Sequence, residues 1–267
     1  MNYSIGFIGG GNMGEAIIGG LRKSDQQLQI RVCNRSNSER MLRLVDQYAV
    51  TASKFEDTVE NSRVLIIAVK PKDVLGVLKQ LKDYELKDKL IISVAAGVPL
   101  KVFYGHLRGV AIVRAMPNTS SAVLHSMTGL VSGENVTEEQ IEIGEQIFAA
   151  IGKTMWIPEE KMNALISVSG SAPAYFYLFA ECLIKAGVHL GLSEEEAEIL
   201  VRETLIGAGK MLAESDKSPG MLREAVTSPN GTTFAALKVF TDDKLPQTVL
   251  KAAQACVQRA EAMEGEK

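Results

Sequence analysis

Apolar positions in the first 160 residues alternate between short continuous runs and segments with helical spacing. The strand-like runs are Ser4–Ile8, Ile30–Cys33, Val64–Val69, Leu90–Val94 and Val110–Arg114. The segments with helical spacing are Ala16–Lys23, Glu39–Tyr48, Asp73–Lys82 and Thr137–Ala149. Runs that are apolar at nearly every position are typical of parallel strands buried on both faces. The alternation therefore predicts an α/β fold, a doubly wound parallel sheet with helices on both faces.

Residues beyond 160 show a helical pattern almost throughout. Apolar residues recur with helical spacing over Lys161–Val168, Ala174–Leu190, Ser193–Ser215, Thr233–Phe240 and Leu245–Met263. Ser193 precedes three glutamates, a strong helix start because serine caps the helix and acidic side chains favour its positive first turn. We expect two domains that meet near Pro158, an α/β domain over residues 1–158 and an all-α domain over residues 159–267.

Composition and charge fit a folded protein of this size and narrow its partners. The chain has 267 residues, 46% of them hydrophobic and 23% charged, which is enough apolar material for a sizeable core. The formal net charge is −3, so we expect no nucleic-acid partner. The longest apolar stretch, residues 174–192, contains Glu181, Lys185 and His189, so we expect no membrane span.

Cysteine and histidine usage bears on metal sites and on location. Cys33, Cys182 and Cys256 lie far apart and are odd in number, which disfavours a disulfide framework, and the three histidines have no metal-ligand spacing. The first residues lack the pattern of a signal peptide. We expect no metal and a reducing, cytoplasmic location.

The sharpest local motif follows the first predicted strand. Gly9, Gly11 and Gly14 form a G-x-G-x-x-G pattern, with Asn12 and Met13 inside it, where the first helix starts. The first glycine allows a tight turn, the second leaves room for a pyrophosphate, and the third lets the helix approach the strand. Helix N–H groups then face the anion. The motif predicts a dinucleotide site, and a glycine-rich turn without a ligand is the alternative.

The end of the second predicted strand indicates which dinucleotide binds. An NAD site places an acidic residue there for the ribose hydroxyls, whereas this chain has Asn34, Arg35 and Ser36. Arg35 has a planar fork suited to phosphate, and its neighbours add donors. We therefore expect a preference for NADP(H), the alternative being an ordinary solvated arginine.

Two further predicted strands end in segments that should line the same crevice. Ala68-Val69-Lys70-Pro71 follows one strand and Ala95-Ala96-Gly97 another, and strand carboxyl ends form the ligand crevice of a doubly wound sheet. The small residues leave room for a nicotinamide. The alternative for both segments is that their residues only terminate the strands and bind no ligand. Met116–Thr119 is a polar turn after a later strand, at the expected edge of the crevice.

One loop in the helical part is rich in hydroxyl groups and glycine. Residues Thr227–Thr233, Thr-Ser-Pro-Asn-Gly-Thr-Thr, lead into a predicted helix. Backbone N–H groups at a helix start bind a carboxylate without a charged side chain. A capped helix–helix connection is the alternative interpretation.

Taken together, these segments resemble pyrroline-5-carboxylate reductases, enzymes that reduce a cyclic imine to proline with NAD(P)H. The resemblance covers nearly the whole chain. It is carried by the glycine motif, Ala68–Pro71, Ala95–Gly97, Arg114–Thr119, Ser169–Tyr175 and, above all, Val226–Thr233.

The resemblance implies a Rossmann-type domain followed by an all-α dimerisation domain, in a homodimer or a ring of dimers. It implies reduction of 1-pyrroline-5-carboxylate to L-proline, the last step of proline biosynthesis, with NADPH preferred over NADH. The implied cofactor-binding residues are Gly9, Gly11, Asn12, Met13, Gly14, Asn34, Arg35, Ser36, Ala68, Val69, Lys70, Pro71, Ala95, Ala96 and Gly97. Ser228, Gly231, Thr232 and Thr233 are the implied substrate-binding residues, and Thr233, whose hydroxyl contacts the ring nitrogen, is the implied catalytic residue.

The chain departs from the family pattern at three positions. Ala172 stands where glycine is usual, Phe55 where asparagine is frequent, and Asn230 where glycine is common. Two rival functions remain. A β-hydroxyacid dehydrogenase needs a lysine in a Gly-x₃-Lys-x₃-Asn arrangement, and Ala174 occupies that lysine's position after Gly170. The second rival is a reductase-like protein that binds NADPH without catalysis.

Overall fold

The computed structural model describes residues 3–35 and 38–265. The chain forms two compact units, one running up to Ser171 and resuming at Cys256, the other spanning Ala172–Ala255. The domain boundary near Pro158 stays a prediction.

The first unit is built on one sheet whose strand order is β3-β2-β1-β4-β5-β6-β7-β8. The strands are β1 (Ile5–Ile8), β2 (Ile30–Cys33), β3 (Thr51–Ala52), β4 (Val64–Ile67), β5 (Leu90–Ser93), β6 (Ala111–Met116), β7 (Ser126–Ser132) and β8 (Gly152–Trp156). Neighbouring strands pair in parallel, except that β6 and β7 pair antiparallel. The predicted α/β class is confirmed, with a sheet that is parallel apart from this one pair.

Side chains alternate between the two faces of the sheet and build a core on each. In β1, Ile5 and Phe7 join one core and Ile8 joins the other. Both cores are covered by helices, as fully buried parallel strands require. The helices of this unit are α1 (Asn12–Ser24), α2 (Ser38–Tyr48), α3 (Phe55–Glu60), α4 (Val74–Leu81), α5 (Leu100–Tyr104), α6 (Glu138–Ala149) and α7 (Met162–Leu165), after which Ile166–Gly170 forms a π-helical turn.

The second unit consists of helices. They are α8 (Ala172–His189), α9 (Glu194–Glu214), α10 (Pro219–Ala225), α11 (Thr232–Asp242) and α12 (Leu245–Gly265), the last of which enters the first unit at Cys256. Ser193 caps α9 in a reciprocal capping box with Glu196, so the predicted helix start is confirmed. Ala172 and Ala197 are the buried residues of this unit. Across the described part of the chain, the helices are too short or too polar to cross a membrane.

Candidate functional site

The carboxyl ends of the central strands meet where the strand order reverses. The Ala68 N–H donates to the Ile8 carbonyl at 2.9 Å, and the Gly9 N–H donates to the Cys33 carbonyl at 2.9 Å. The parallel ladder therefore runs one residue beyond the strands and sets Gly9 beside Ala68. This reversal between β1 and β4 is the position at which open α/β sheets bind ligands.

The three motif glycines differ in what surrounds them. Gly9 has a φ of +104°, and a Cβ there would lie 2.7 Å from the Ala68 carbonyl oxygen. A Cβ on Gly14 would lie 2.9 Å from the Gly9 carbonyl oxygen, so these two glycines are required by the protein itself. A Cβ on Gly11 would meet only the Ala68 carbonyl oxygen, at 3.8 Å. The space beside Gly11 is therefore open, as an approaching phosphate requires.

Helix α1 begins directly at this opening. Its N-cap is Gly11, which supplies no capping side chain, and its first internal bond runs from the Glu15 N–H to the Gly11 carbonyl at 2.9 Å. The N–H groups of Asn12, Met13 and Gly14 precede that bond and have no acceptor within the helix. These donors, together with the helix dipole, suit an anion.

A second cleft follows the end of β2. It has a volume of about 550 Å³ and is lined by residues of two loops, α2 and the end of β3, namely Asn34, Arg35, Ser38, Met41, Ala52, Ser53 and Lys54. Asn34 and Arg35 are exposed there, while the predicted Ser36 lies outside the described residues. Cys33, at the strand end, is buried, and burial raises the pKa of its thiol. The thiol therefore stays neutral beside this cleft.

Lys54 is a cleft residue that the sequence motifs missed. It is the N-cap of α3, whose first turn carries Glu56 and Asp57. A cation at the positive N-terminus of a helix destabilises the helix itself. A lysine at this unfavourable position is the sequence signal that could have identified Lys54 as a candidate binding residue. Phe55, the next residue, packs edge-on against Tyr84 with ring centroids 5.9 Å apart.

The other predicted crevice segments lie at the same edge of the sheet. Lys70 is exposed and precedes a 3₁₀ turn that begins at Pro71. Ala95 is buried, and Gly97 has a φ of +63°, which favours glycine. The Val94 N–H donates to the Ile67 carbonyl at 3.1 Å, so this segment continues the ladder beside β4.

The turn after β6 is held by a partly buried polar network. The Asn118 Nδ2 donates to the Ser169 carbonyl at 3.2 Å, and Asn118 Oδ1 accepts from the Ser120 N–H at 3.0 Å. The Ser169 hydroxyl donates to the Met127 carbonyl at 3.2 Å. The network ties the polar turn to the π-helical turn, and π-helical turns frequently mark functional sites. Sequence spacing could not place residues 118 and 169 together.

A buried arginine, Arg114, lies on strand β6. The Arg114 side chain is 3% exposed, and its guanidinium contacts Glu159 and Glu264, each at 3.1 Å. Glu159 Oε1 also accepts from the Leu100 N–H at 2.7 Å. Arg114 thereby joins the start of α5, the segment after β8 and the last turn of α12. These contacts give it a structural role.

The predicted substrate loop adopts a specific turn in the second unit. Asn230 has a φ of +58°, a conformation that asparagine tolerates better than most residues. The Gly231 N–H donates to the Ser228 carbonyl at 3.0 Å, and a Cβ on Gly231 would collide with the Ser228 hydroxyl. Helix α11 begins at Thr232, and its N-cap Gly231 has no capping side chain. Thr233 lies half-buried in the first turn. No group of His, Cys, Asp and Glu suited to a metal occurs in residues 3–35 and 38–265.

Two family models match the chain. Residues 159–263 match the model described as pyrroline-5-carboxylate reductase dimerisation. Residues 4–97 match the model described as NADP oxidoreductase, coenzyme F420-dependent. The two matches fall on the helical and the α/β parts of the chain respectively.

Known proteins that resemble this chain match it over nearly its full length. The pyrroline-5-carboxylate reductase of Pasteurella multocida is 39% identical over 268 residues, which cover 98% of this chain and 98% of that protein. A solved pyrroline-5-carboxylate reductase from Coxiella burnetii has a TM-score of 0.92 at 37% identity, covering 98% of this chain and 99% of its own. The Plasmodium falciparum pyrroline carboxylate reductase, solved with NADP bound, has a TM-score of 0.86 at 29% identity, covering 98% of both chains. This chain therefore belongs to the pyrroline-5-carboxylate reductase family, as its sequence motifs predict.

Proposed function

We propose that this protein reduces 1-pyrroline-5-carboxylate to L-proline with NADPH, the last step of proline biosynthesis. The observation that carries the proposal is the loop Thr227–Thr233, which turns at Asn230 and leads into an uncapped helix start. Full-length similarity to reductases of this name supports the same assignment. NADH is the less preferred cofactor.

The described residues at the β1–β4 reversal fit a dinucleotide. The open side of Gly11 and the N–H groups that start α1 suit a pyrophosphate. We assign Arg35 and Asn34, together with Ser36, to the 2′-phosphate end. Ala68–Pro71 and Ala95–Gly97 are assigned to the nicotinamide side, because they end the next two strands of the sheet. Gly9, Asn12, Met13 and Gly14 complete the proposed cofactor set.

The substrate carboxylate is assigned to the start of α11. The N–H groups of Thr232 and Thr233 and the Ser228 hydroxyl are donors at this helix start, so the loop needs no charged side chain to hold an anion. Gly231, whose own N–H is bonded to the Ser228 carbonyl, forms the turn beside them. The Thr233 hydroxyl is assigned to the ring nitrogen of the substrate. A hydrogen bond there fixes which carbon faces the cofactor.

Catalysis on this scheme is mainly positioning. NADPH, when bound, supplies the hydride that reduces the C=N carbon. The substrate reacts as the iminium, which already carries its proton, so the chain's residues need only orient it and exclude water. The motifs contain neither a His–Asp pair nor paired carboxylates, in keeping with that demand.

We also propose a homodimer, as the match to the family's dimerisation domain supports. In the helical unit, Phe176, Leu190 and Val226 are among the many large apolar side chains that are exposed, at 61%, 83% and 68%. With Ala172 and Ala197 as its buried residues, this unit lacks the core that an independent fold requires. A second copy of the chain supplies the missing apolar contacts, and a ring of such dimers is the larger assembly we propose.

We propose a cytoplasmic location, on the ground that all three cysteines are free thiols. We likewise propose a domain boundary at 158/159, in keeping with a dimerisation match that begins at residue 159.

One assay separates the proposed function from its rivals. Purified protein is mixed with NADPH and 1-pyrroline-5-carboxylate, and loss of NADPH absorbance is followed together with proline formation. A parallel reaction contains a 3-hydroxy acid and NADP⁺. Stoichiometric proline formation is expected. Turnover of the hydroxy acid alone would indicate a β-hydroxyacid dehydrogenase, and NADPH binding without turnover of either substrate would indicate the non-catalytic rival.

A further inference from the structure

An arginine on α2 reaches the first residue of the proposed phosphate-binding helix. The Arg40 Nη2 donates to Asn12 Oδ1 at 2.8 Å and to Glu15 Oε2 at 2.7 Å. Arg40 lies outside every motif that the sequence singles out, and 28 residues separate it from Asn12. Its side chain is 22% exposed and that of Glu15 is 18% exposed, so both charges are partly shielded from water.

The ion pair answers an electrostatic conflict in this helix. Glu15 lies in the first turn of α1, where a carboxylate suits the helix dipole but repels an anion placed on the same N–H groups. Arg40 and Arg43 both contact that carboxylate, at 2.7 and 2.6 Å, so two cations outweigh its single negative charge, and Arg40 is the less exposed of the two. Arg40 differs from Arg43 because it also contacts Asn12. With its oxygen held by the guanidinium, Asn12 presents its NH₂ group, a donor, to an anion.

We propose that Arg40 is a positioning residue for the cofactor pyrophosphate, neutralising Glu15 and orienting Asn12 at the N-terminus of α1. The inference rests on the proposed binding of NADPH at this helix. It makes Arg40 a determinant of affinity for any dinucleotide, because the pyrophosphate is common to NADPH and NADH. Arg35, assigned to the 2′-phosphate, acts on NADPH alone.

The test is direct binding of NADPH and NADH in the absence of substrate, followed by nicotinamide fluorescence. Arg40→Gln is expected to raise the Kd of both nucleotides by the same factor, about tenfold, because a cation is lost at the helix start assigned to the pyrophosphate. Arg43→Gln is the matched control, since Arg43 is 55% exposed and contacts the same carboxylate without touching Asn12. Its effect is expected to stay within about threefold.

Glu15→Gln separates charge from structure, because the two explanations predict opposite signs. If Arg40 acts by balancing charge, removing the carboxylate leaves binding unchanged or tighter, and the Glu15→Gln/Arg40→Gln double variant returns toward wild-type affinity. If the pair only holds α1 against α2, Glu15→Gln weakens binding as much as Arg40→Gln does, and the proposal is overturned. Thermal unfolding of each apo variant shows whether the fold is retained. The Glu15→Gln arm retains the test should Arg40→Gln fold poorly.

The remaining outcomes are also decisive. Wild-type affinity of Arg40→Gln for both nucleotides would overturn this inference and leave the proposed function standing. A loss confined to NADPH would move Arg40 to the 2′-phosphate end and overturn it as well. Failure of the wild-type protein to bind either nucleotide would overturn the proposed function and this inference together.

Discussion

Replacing each of two motif glycines by alanine should separate the demands of the fold from the demands of the cofactor. At Gly11 the backbone has φ −69° and ψ −178°, which alanine adopts freely, and the new Cβ would have one neighbour at 3.8 Å. Alanine is a poorer N-cap than glycine but restricts the unfolded chain, so the two effects offset each other to within about 1 kcal/mol. At Gly9 the φ of +104° and the 2.7 Å approach to the Ala68 carbonyl make alanine strained and crowded, costing roughly 3 kcal/mol or more.

Thermal unfolding with and without NADPH measures both effects. Ligand at a hundredfold excess over its Kd stabilises a protein by about 2.7 kcal/mol, which is roughly 5–10 °C for a domain of this size. The wild type should show that increase. Gly11→Ala should unfold at nearly the wild-type temperature without NADPH and gain little from it, because its methyl group fills the space assigned to the pyrophosphate. Gly9→Ala should unfold early in both conditions.

Two results would refute this reasoning. If Gly11→Ala gains the full NADPH increment, the open space beside Gly11 is not where the cofactor binds. If instead Gly11→Ala unfolds as early as Gly9→Ala, the contrast between the two glycine environments is wrong.

Three other substitutions test single contacts. Arg35→Ala should raise the KM for NADPH at least tenfold and leave that for NADH nearly unchanged, because only NADPH carries the 2′-phosphate; an unchanged NADPH/NADH ratio would remove the assignment. Thr233→Ala should lower kcat/KM on the order of 10²-fold if its hydroxyl bond to the substrate nitrogen tightens in the transition state, with wild-type kcat/KM as the contrary result. Arg114→Met should lower the free energy of unfolding in urea by about 1–3 kcal/mol, because it removes the cation from two carboxylates that are only partly exposed, at 34% and 20%. A midpoint equal to that of the wild type would show that the arginine carries no net stability.

The central strands were predictable because each is a run of consecutive apolar residues. Every position is buried in two of these strands, Val64–Ile67 and Leu90–Ser93. Burial at consecutive positions is typical of a strand covered on both faces of the sheet. The strands β7 and β8 were missed because they lack such continuous apolar runs. β8, Gly152–Trp156, alternates half-buried and exposed side chains at one edge of the sheet, and β7 begins with Ser126 and Met127, so neither reads as a continuous apolar run.

The candidate site divides along a similar line. The glycine motif and the Thr227–Thr233 loop are local in sequence, because a turn and a helix start are made by neighbouring residues. Lys54 and Arg40 depend instead on the fold, which brings Lys54 to the cleft at the end of β2 and Arg40 to the start of α1. The Asn118–Ser169 contact likewise spans 51 residues. Such pairs produce no recognisable motif in the sequence, because the fold joins residues that are far apart along the chain.

Net charge and binding chemistry are reconciled by these non-local residues. The chain carries a formal charge of −3, so its overall field does not favour an anionic dinucleotide. Screening confines exposed charges to a range of about 8–10 Å, so only cations close to the phosphates matter. Arg35 and Lys54 line one cleft, while Arg40 cancels Glu15 at the other proposed phosphate position. An acidic protein can therefore hold NADPH through helix N–H groups and a few cations close to the phosphates.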